Sequence, residues 1–153
     1  MENSPKTGIL KESKIHGNLP YLAWIVALVA TVGSLFFSEV MQLPPCLLCW
    51  YQRIAMYPLV IVIAVGIIIR DRNLKFYALP IALGGLIISV YHNLLYYGIL
   101  TESAAPCTQG VSCTSRQIEW LGFITIPLLA LTAFILISVC LLLSKSQKEY
   151  SNV

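Results

Sequence analysis

The chain has 153 residues, of which 58% are hydrophobic and only 11% are charged. Soluble domains usually carry about 25% charged residues, so this composition excludes a soluble globular domain and indicates a membrane protein. The net charge of +3 is too small to indicate nucleic-acid binding, and we expect no nucleic-acid partner. We do expect the basic tails to contact anionic membrane lipid.

Four long apolar stretches account for most of the chain. A membrane-spanning helix needs about 20 apolar residues, so the sequence predicts an all-α membrane protein, a bundle of four transmembrane helices with no separate soluble domain. Short tails flank the bundle at residues 1–18 and 144–153. Gly84 and Gly85 predict a close approach between the third helix and a neighbour. The predicted membrane domain is 19–143, with helices at 19–40, 46–69, 76–97 and 118–143.

The basic residues predict the orientation of the bundle. Eight of the ten lysines and arginines lie in the two tails and in the loop between the second and third helices. Because cytoplasmic segments are enriched in Lys and Arg, we expect both termini to be cytoplasmic and the protein to be a multi-pass protein of the cell membrane. The other two loops, which carry cysteines, then face outward, where disulfides persist.

The first cysteine pair, Cys46 and Cys49, opens the second predicted helix with Cys-x-x-Cys spacing. This spacing is found in thiol–disulfide oxidoreductases, and it also supplies two of the four ligands in many zinc sites. The position favours redox chemistry, because the N-terminus of a helix stabilises a thiolate anion. A zinc site of four cysteines is the alternative, but the spacing of the second pair does not suit a zinc knuckle. We therefore expect no metal ligands.

Arg53 follows Cys49 by four residues and so lies on the same helix face, roughly 6 Å deeper in the membrane. One interpretation is that it polarises the carbonyl of a bound electron acceptor and steadies the Cys49 thiolate. The alternative is that it reaches the headgroups or pairs with Glu39. His92, late in the third helix, lies at a similar depth and is either a functional residue or a histidine hydrogen-bonded between helices.

The second pair, Cys107 and Cys113, encloses five residues in the one long outer loop. A disulfide there would be exposed, and exposed disulfides are the labile, catalytic ones. The alternative is a bond that only braces the loop. Cys140, deep in the fourth predicted helix, is interpreted as an inert small hydrophobic residue.

Specific motifs surround these residues. The second helix opens with Pro-Cys-x-x-Cys-x-x-x-Arg at Pro45–Arg53, and Tyr91 and His92 stand late in the third helix. In these residues the chain resembles the disulfide bond formation protein B (DsbB) family, and in particular its short BdbC-type members. The resemblance covers about Ser34 to Ala133. Further matching residues are Cys113, Arg116, Gln117 and Glu119–Gly122.

The resemblance implies a quinone-dependent protein dithiol oxidase. Such a protein reoxidises an extracytoplasmic thioredoxin-like thiol oxidase (DsbA/BdbD-like) and passes the electrons to a membrane quinone, ubiquinone or menaquinone. It implies that Cys107 forms the mixed disulfide with the partner. Cys113 then forms a disulfide with Cys46 of the first pair. Cys49 then faces the quinone, with Arg53 and His92 around the quinone oxygens.

The chain departs from the family pattern in the segment between Cys107 and Cys113. Longer members place a long segment between the second two cysteines, whereas only five residues intervene here. The Cys46–Cys113 interloop disulfide is therefore the assignment most affected. Two other functions stay open: a structural four-helix protein whose disulfides brace its loops, and a quinone reductase of the vitamin K epoxide reductase type. Proteins of that second type carry the active pair on the last helix.

Overall fold

The computed structural model describes residues 6–71, 73–100 and 125–144, with residues 6–17 described by their backbone alone. These residues form four helices: α1 (Lys6–Leu35), which continues into a π-helical turn (Phe36–Val40), α2 (Leu47–Ile68), α3 (Leu74–Tyr96) and α4 (Ile126–Leu143). Each is long and apolar enough to cross a membrane. The predicted fold class, an all-α bundle of four membrane helices, is confirmed.

The helix bounds differ from the apolar stretches mainly at α1. It begins at Lys6, inside the tail predicted for residues 1–18, although the part able to span a membrane is Asn18–Val40. Hydropathy indicates where a helix can lie in lipid, whereas Leu, Lys and Glu continue a helix into water because they are good helix formers. The fourth helix was predicted to run without a break from residue 118, but α4 begins at Ile126 because Thr125 is its N-cap with an extended backbone. Residues 118–124 and the tail 145–153 lie outside the described residues.

The four helices form a closed ring in which α1 packs on α2 and α4, and α3 packs on the same two helices. Small residues at the contacts allow the backbones to approach closely, and larger side chains fill the centre. The fully buried alanines are Ala23, Ala27, Ala78 and Ala82, and the fully buried large side chains include Leu59, Ile63, Phe134 and Ile137.

Large apolar side chains also cover the outside of the bundle. Ile61 is 66% exposed, Ile68 78%, Ile87 70% and Leu142 61%. A soluble protein rarely exposes so much contiguous apolar surface, so these faces are the surface that contacts lipid. The chain is therefore a multi-pass membrane protein.

Of the two adjacent glycines in α3, Gly85 makes the close contact and Gly84 does not. A Cβ atom added at Gly85 would overlap the ring of Phe134 in α4, whereas one at Gly84 would meet nothing. We expect Gly85→Ala to lower the free energy of unfolding by about 1–3 kcal/mol, since overpacking displaces the ring.

The adjacent glycine provides the control for this substitution. Gly84→Ala should leave stability unchanged or raise it by up to about 1 kcal/mol, because alanine is the better helix former. Thermal unfolding of the purified proteins in detergent measures both effects. Equal midpoints for the two variants would contradict the proposed contact.

Candidate active site

The start of α2 places the first cysteine pair. Pro44 and Pro45 precede it, and the residue before a proline is biased away from helical geometry. Helical geometry is therefore disfavoured at Leu43 and Pro44, and α2 begins only after Cys46, which is its N-cap with an extended backbone (φ −70°, ψ 168°). Its Sγ accepts a hydrogen bond from the backbone N–H of Cys49 at 3.3 Å. The Cys46 sulfur thus caps the helix, a role that a serine or aspartate oxygen commonly has at helix N-termini.

Cys46 lies against His92 of α3. The residue is 7% exposed, and its Sγ is 3.8 Å from Nε2 of His92. The hydrogen bond from the Cys49 side chain and, after it, the contact with His92 lower the pKa of the Cys46 thiol, although burial opposes them. The surroundings of Cys46 therefore favour a thiolate at the end of the helix.

Gln52 fixes the orientation of the His92 ring. The carboxamide Nε2 of Gln52 lies 3.2 Å from Nδ1 of His92, and both residues are buried, at 6% and 1% exposure. A ring held on one nitrogen presents the other in a defined direction, which here is towards Cys46. The structure thus places His92 beside Cys46. His92 does not line the cavity, described below, that Cys49 and Arg53 line.

Arg53 is held by α1. Its Nε donates to Oγ of Ser34 at 2.9 Å, and its Nη2 donates to the Ser34 carbonyl at 3.0 Å. The guanidinium carbon also lies 5.6 Å from the ring centroid of Trp50. Arg53 therefore bonds to Ser34 in the structure. It does not pair with the Glu39 carboxylate, which was one of the alternatives predicted from the sequence.

The π-helical turn at Phe36–Val40 begins just after Ser34. The Ser34 carbonyl accepts from Nη2 of Arg53 and, at 3.4 Å, from Oγ of Ser38. Arg53 is thus held just before the point where α1 passes into the π-helical turn.

A cavity of about 500 Å³ lies between α1, α2 and α4. Its walls are mostly apolar, and its polar groups include Ser34, Cys49, Gln52 and Arg53. Ligand pockets typically combine apolar walls with a few polar groups that orient the ligand. Among the apolar lining residues are Val26, Val29, Phe37, Met56 and Phe134.

The two sulfurs of the pair face different surroundings. Cys49 lines the cavity, whereas Cys46 is buried with Leu48 and Leu95 in a small cluster against which Cys49 also packs. Both are free thiols in this structure, and their sulfurs lie within 4.8 Å of each other and of a His92 ring nitrogen. A disulfide needs about 2.05 Å between its sulfurs, so side-chain rotation and a small backbone adjustment separate the two redox states.

The remaining predicted cysteines divide into two cases. Cys107 and Cys113 lie outside the described residues. Cys140 is 5% exposed and belongs to the main hydrophobic core, in a different cluster from Cys46. Its position agrees with the interpretation that it is an inert core residue.

Sequence reasoning missed Ser34 and Gln52 as site residues. Gln52 had an available signal, since a carboxamide inside an apolar stretch needs a partner. Ser34 had none, because a serine in a membrane helix can satisfy its hydroxyl on its own backbone.

Comparison with known proteins bears on this arrangement. The family model described as disulfide bond formation protein DsbB matches residues 17–144. Disulfide bond formation protein C of Bacillus subtilis (strain 168) is 48% identical over 129 residues, which are 84% of this chain and 94% of that protein. Probable disulfide formation protein C of Halalkalibacterium halodurans is 46% identical over 136 residues, 89% of this chain and 99% of that protein. No solved structure matches the chain. The resemblance predicted from the sequence is confirmed, and the chain belongs to the DsbB family of disulfide bond formation proteins.

Proposed function

We propose that this protein is a quinone-dependent protein dithiol oxidase of the cell membrane. Membership of the DsbB family supports disulfide bond formation by a membrane protein. The proposal adds an electron acceptor, a membrane quinone such as ubiquinone or menaquinone, and an electron donor, an extracytoplasmic thioredoxin-like thiol oxidase (DsbA/BdbD-like). The observation that carries the acceptor is that Cys49 lines a mainly apolar cavity together with Arg53.

The proposed topology has both termini in the cytoplasm and both cysteine pairs on the extracytoplasmic side. Its support is the distribution of basic residues, eight of ten of which lie in the tails and the loop between α2 and α3. An oxidising compartment on the cysteine side would supply the partner and preserve the disulfides.

The cavity suits a quinone in size and chemistry. Its apolar walls match a hydrophobic ring and tail, and a guanidinium at the polar end matches a carbonyl oxygen. Arg53 has five N–H donors and uses two of them on Ser34, so within the described helices three remain to donate to a ligand. The bonds to Ser34 also fix the orientation of the planar guanidinium.

The proposed reaction converts a partner dithiol and a quinone into a partner disulfide and a quinol. The partner thiolate attacks the Cys107–Cys113 disulfide at Cys107, and the second partner thiol then releases Cys107. Cys113 next attacks the Cys46–Cys49 disulfide at Cys46, so that Cys49 leaves as a thiolate. Attack of Cys107 on Cys113 restores the second pair and releases Cys46.

The chain's own residues assist these exchanges at Cys46 and Cys49. A good leaving group in thiol–disulfide exchange is a stabilised thiolate, and Cys46 has the Cys49 N–H and the His92 ring beside it. Arg53 compensates the negative charge at Cys49 from the cavity side. A bound quinone supplies the sink for two electrons and two protons as the Cys46–Cys49 disulfide re-forms.

Anaerobic titration of the reduced protein tests the proposal. We expect ubiquinone or menaquinone analogues to yield two quinols per fully reduced chain, because electrons of the second pair pass through the first, as measured by quinol absorbance and by mass spectrometry of blocked thiols. A Cys107→Ser/Cys113→Ser variant should yield one quinol and one Cys46–Cys49 disulfide per chain, because the last step uses only the first pair. Loss of the Cys46 and Cys49 thiols without quinol, or no oxidation at all, would contradict the proposal.

A further inference from the structure

Three metal-ligating atoms converge at the start of α2. Sγ of Cys46, Sγ of Cys49 and a ring nitrogen of His92 lie within 4.8 Å of one another. The distance from Cys46 Sγ to His92 Nε2 is 3.8 Å. Two of these residues are almost fully buried, and the third lines the cavity.

These separations are close to those of a tetrahedral zinc centre. Zinc binds thiolate sulfur at about 2.3 Å and imidazole nitrogen at about 2.0–2.1 Å. Tetrahedral angles then separate two sulfurs by roughly 3.8 Å, and a sulfur from a nitrogen by roughly 3.6 Å. The observed atoms reach those positions through small side-chain rotations.

The surroundings of the cluster also resemble a metal site. A metal-binding histidine usually bonds its second ring nitrogen to a neighbouring group, which fixes the ring. Gln52 occupies this place at Nδ1 of His92, and its carboxamide presents an oxygen to that nitrogen after a half-turn of the amide. Two buried thiolates repel each other strongly, and a divalent cation between them cancels both charges.

We propose that the reduced protein binds a thiophilic d¹⁰ cation, with Zn²⁺ as the test ion, through Cys46 Sγ, Cys49 Sγ and His92 Nε2. The fourth position faces the cavity and is filled by water. Binding displaces the thiol protons and leaves the oxidation state of both sulfurs unchanged. Because each sulfur then holds the metal, the Cys46–Cys49 disulfide does not form until the ion leaves.

This ligand set differs from the four-cysteine zinc site considered from the sequence. It needs neither Cys107 nor Cys113, and it exists only while the first pair is reduced. The proposal is also independent of the quinone. A protein that bound Zn²⁺ but reduced no quinone would contradict only the proposed function, and the reverse result would contradict only this inference.

The experiment uses the full-length Cys107→Ser/Cys113→Ser protein, purified in detergent without a histidine tag. Zn²⁺ competition against a chromophoric chelator should give one ion per reduced chain and none after oxidation of the Cys46–Cys49 pair. Co²⁺ in place of zinc should produce thiolate-to-cobalt charge-transfer bands and the intense visible bands of a tetrahedral site. Equal binding by oxidised protein, or a Co²⁺ spectrum without thiolate bands, would overturn the proposal.

Variants assign the ligands. His92→Ala should weaken Zn²⁺ binding at least tenfold, and Gln52→Ala should weaken it by about 10- to 100-fold, as outer-shell substitutions commonly do. His16→Ala replaces the other histidine, and Cys140→Ala removes a core thiol, so both should bind as the parent does. Unchanged affinity in His92→Ala would overturn the ligand assignment. The Co²⁺ spectrum of the parent is an independent check, because it does not require a substituted core.

A kinetic measurement tests the effect on the redox pair. Saturating Zn²⁺ should slow the oxidation of Cys46 and Cys49 by a small aromatic disulfide at least tenfold, and a chelator should restore the rate. Oxidation at the same rate with and without Zn²⁺ would show that the ion does not engage both sulfurs.

Discussion

Cys49→Ser is expected to abolish quinone reduction while the protein still inserts and folds. In the proposed function, the Cys49 sulfur, which lines the cavity with Arg53, delivers the electrons to the ligand, and a serine hydroxyl cannot take part in thiol–disulfide exchange. Removal of a residue that forms the covalent intermediate typically costs at least about 10³-fold in rate. Quinol formation with the reduced partner as electron donor measures the loss.

The other cysteines of the described helices sharpen this test. Cys46→Ser should also stop turnover but leave Cys49 reactive towards alkylating reagents from the cavity side. Cys140→Ala should retain full activity, because Cys140 belongs to the main core and not to the Cys46 cluster. Turnover in Cys49→Ser near that of the parent would support the view that the cysteines only brace the loops.

Arg53→Ala should raise the KM for quinone by about 10- to 100-fold, since a charge-assisted hydrogen bond contributes about 1.5–3 kcal/mol. Exchange between the partner and Cys107 should change little, because the guanidinium faces the cavity. Steady-state rates at saturating partner, with quinone varied, separate the two effects. An unchanged quinone dependence would contradict the assigned role.

Two further substitutions separate charge from orientation at this position. Arg53→Lys should recover only part of the affinity, because an ammonium lacks the planar fork that engages Ser34 and a ligand together. Ser34→Ala should raise KM only a few-fold, since it removes the bond to Nε and leaves the carbonyl that accepts from Nη2. A Ser34→Ala effect as large as that of Arg53→Ala would indicate that Ser34 contacts the ligand itself.

The sequence predicted the parts of the structure that depend on composition and on spacing along a helix. Uncharged stretches located the four helices, because a single apolar segment can cross lipid only as a helix that satisfies its own backbone hydrogen bonds. The Cys-x-x-Cys motif after two prolines placed the pair in the first turn of α2, which the structure confirms. The depth of Arg53 in the membrane, which was estimated from helical rise, stays a prediction.

Contacts between helices were beyond the reach of sequence reasoning. The partner of Arg53, Ser34, depends on how α1 faces α2, which no periodicity indicates. The role of His92 near the quinone oxygens stays a prediction, and the structure shows its ring beside Cys46 and Gln52. That contact depends on the rotation of α3 about its axis, which apolar residues on most sides of the helix leave unspecified by pattern alone.

In the proposed function, the position of Cys46 as the N-cap of α2 links the redox state of the pair to the opening turn of the helix. A thiolate is a strong acceptor for the Cys49 N–H, whereas a sulfur bonded to another sulfur is neutral and a weak one. Under the proposed function, each disulfide that Cys46 forms with a second cysteine weakens this bond, and each release of its thiolate restores it. We therefore expect the opening turn of α2 to be better ordered in the reduced protein than in the oxidised protein.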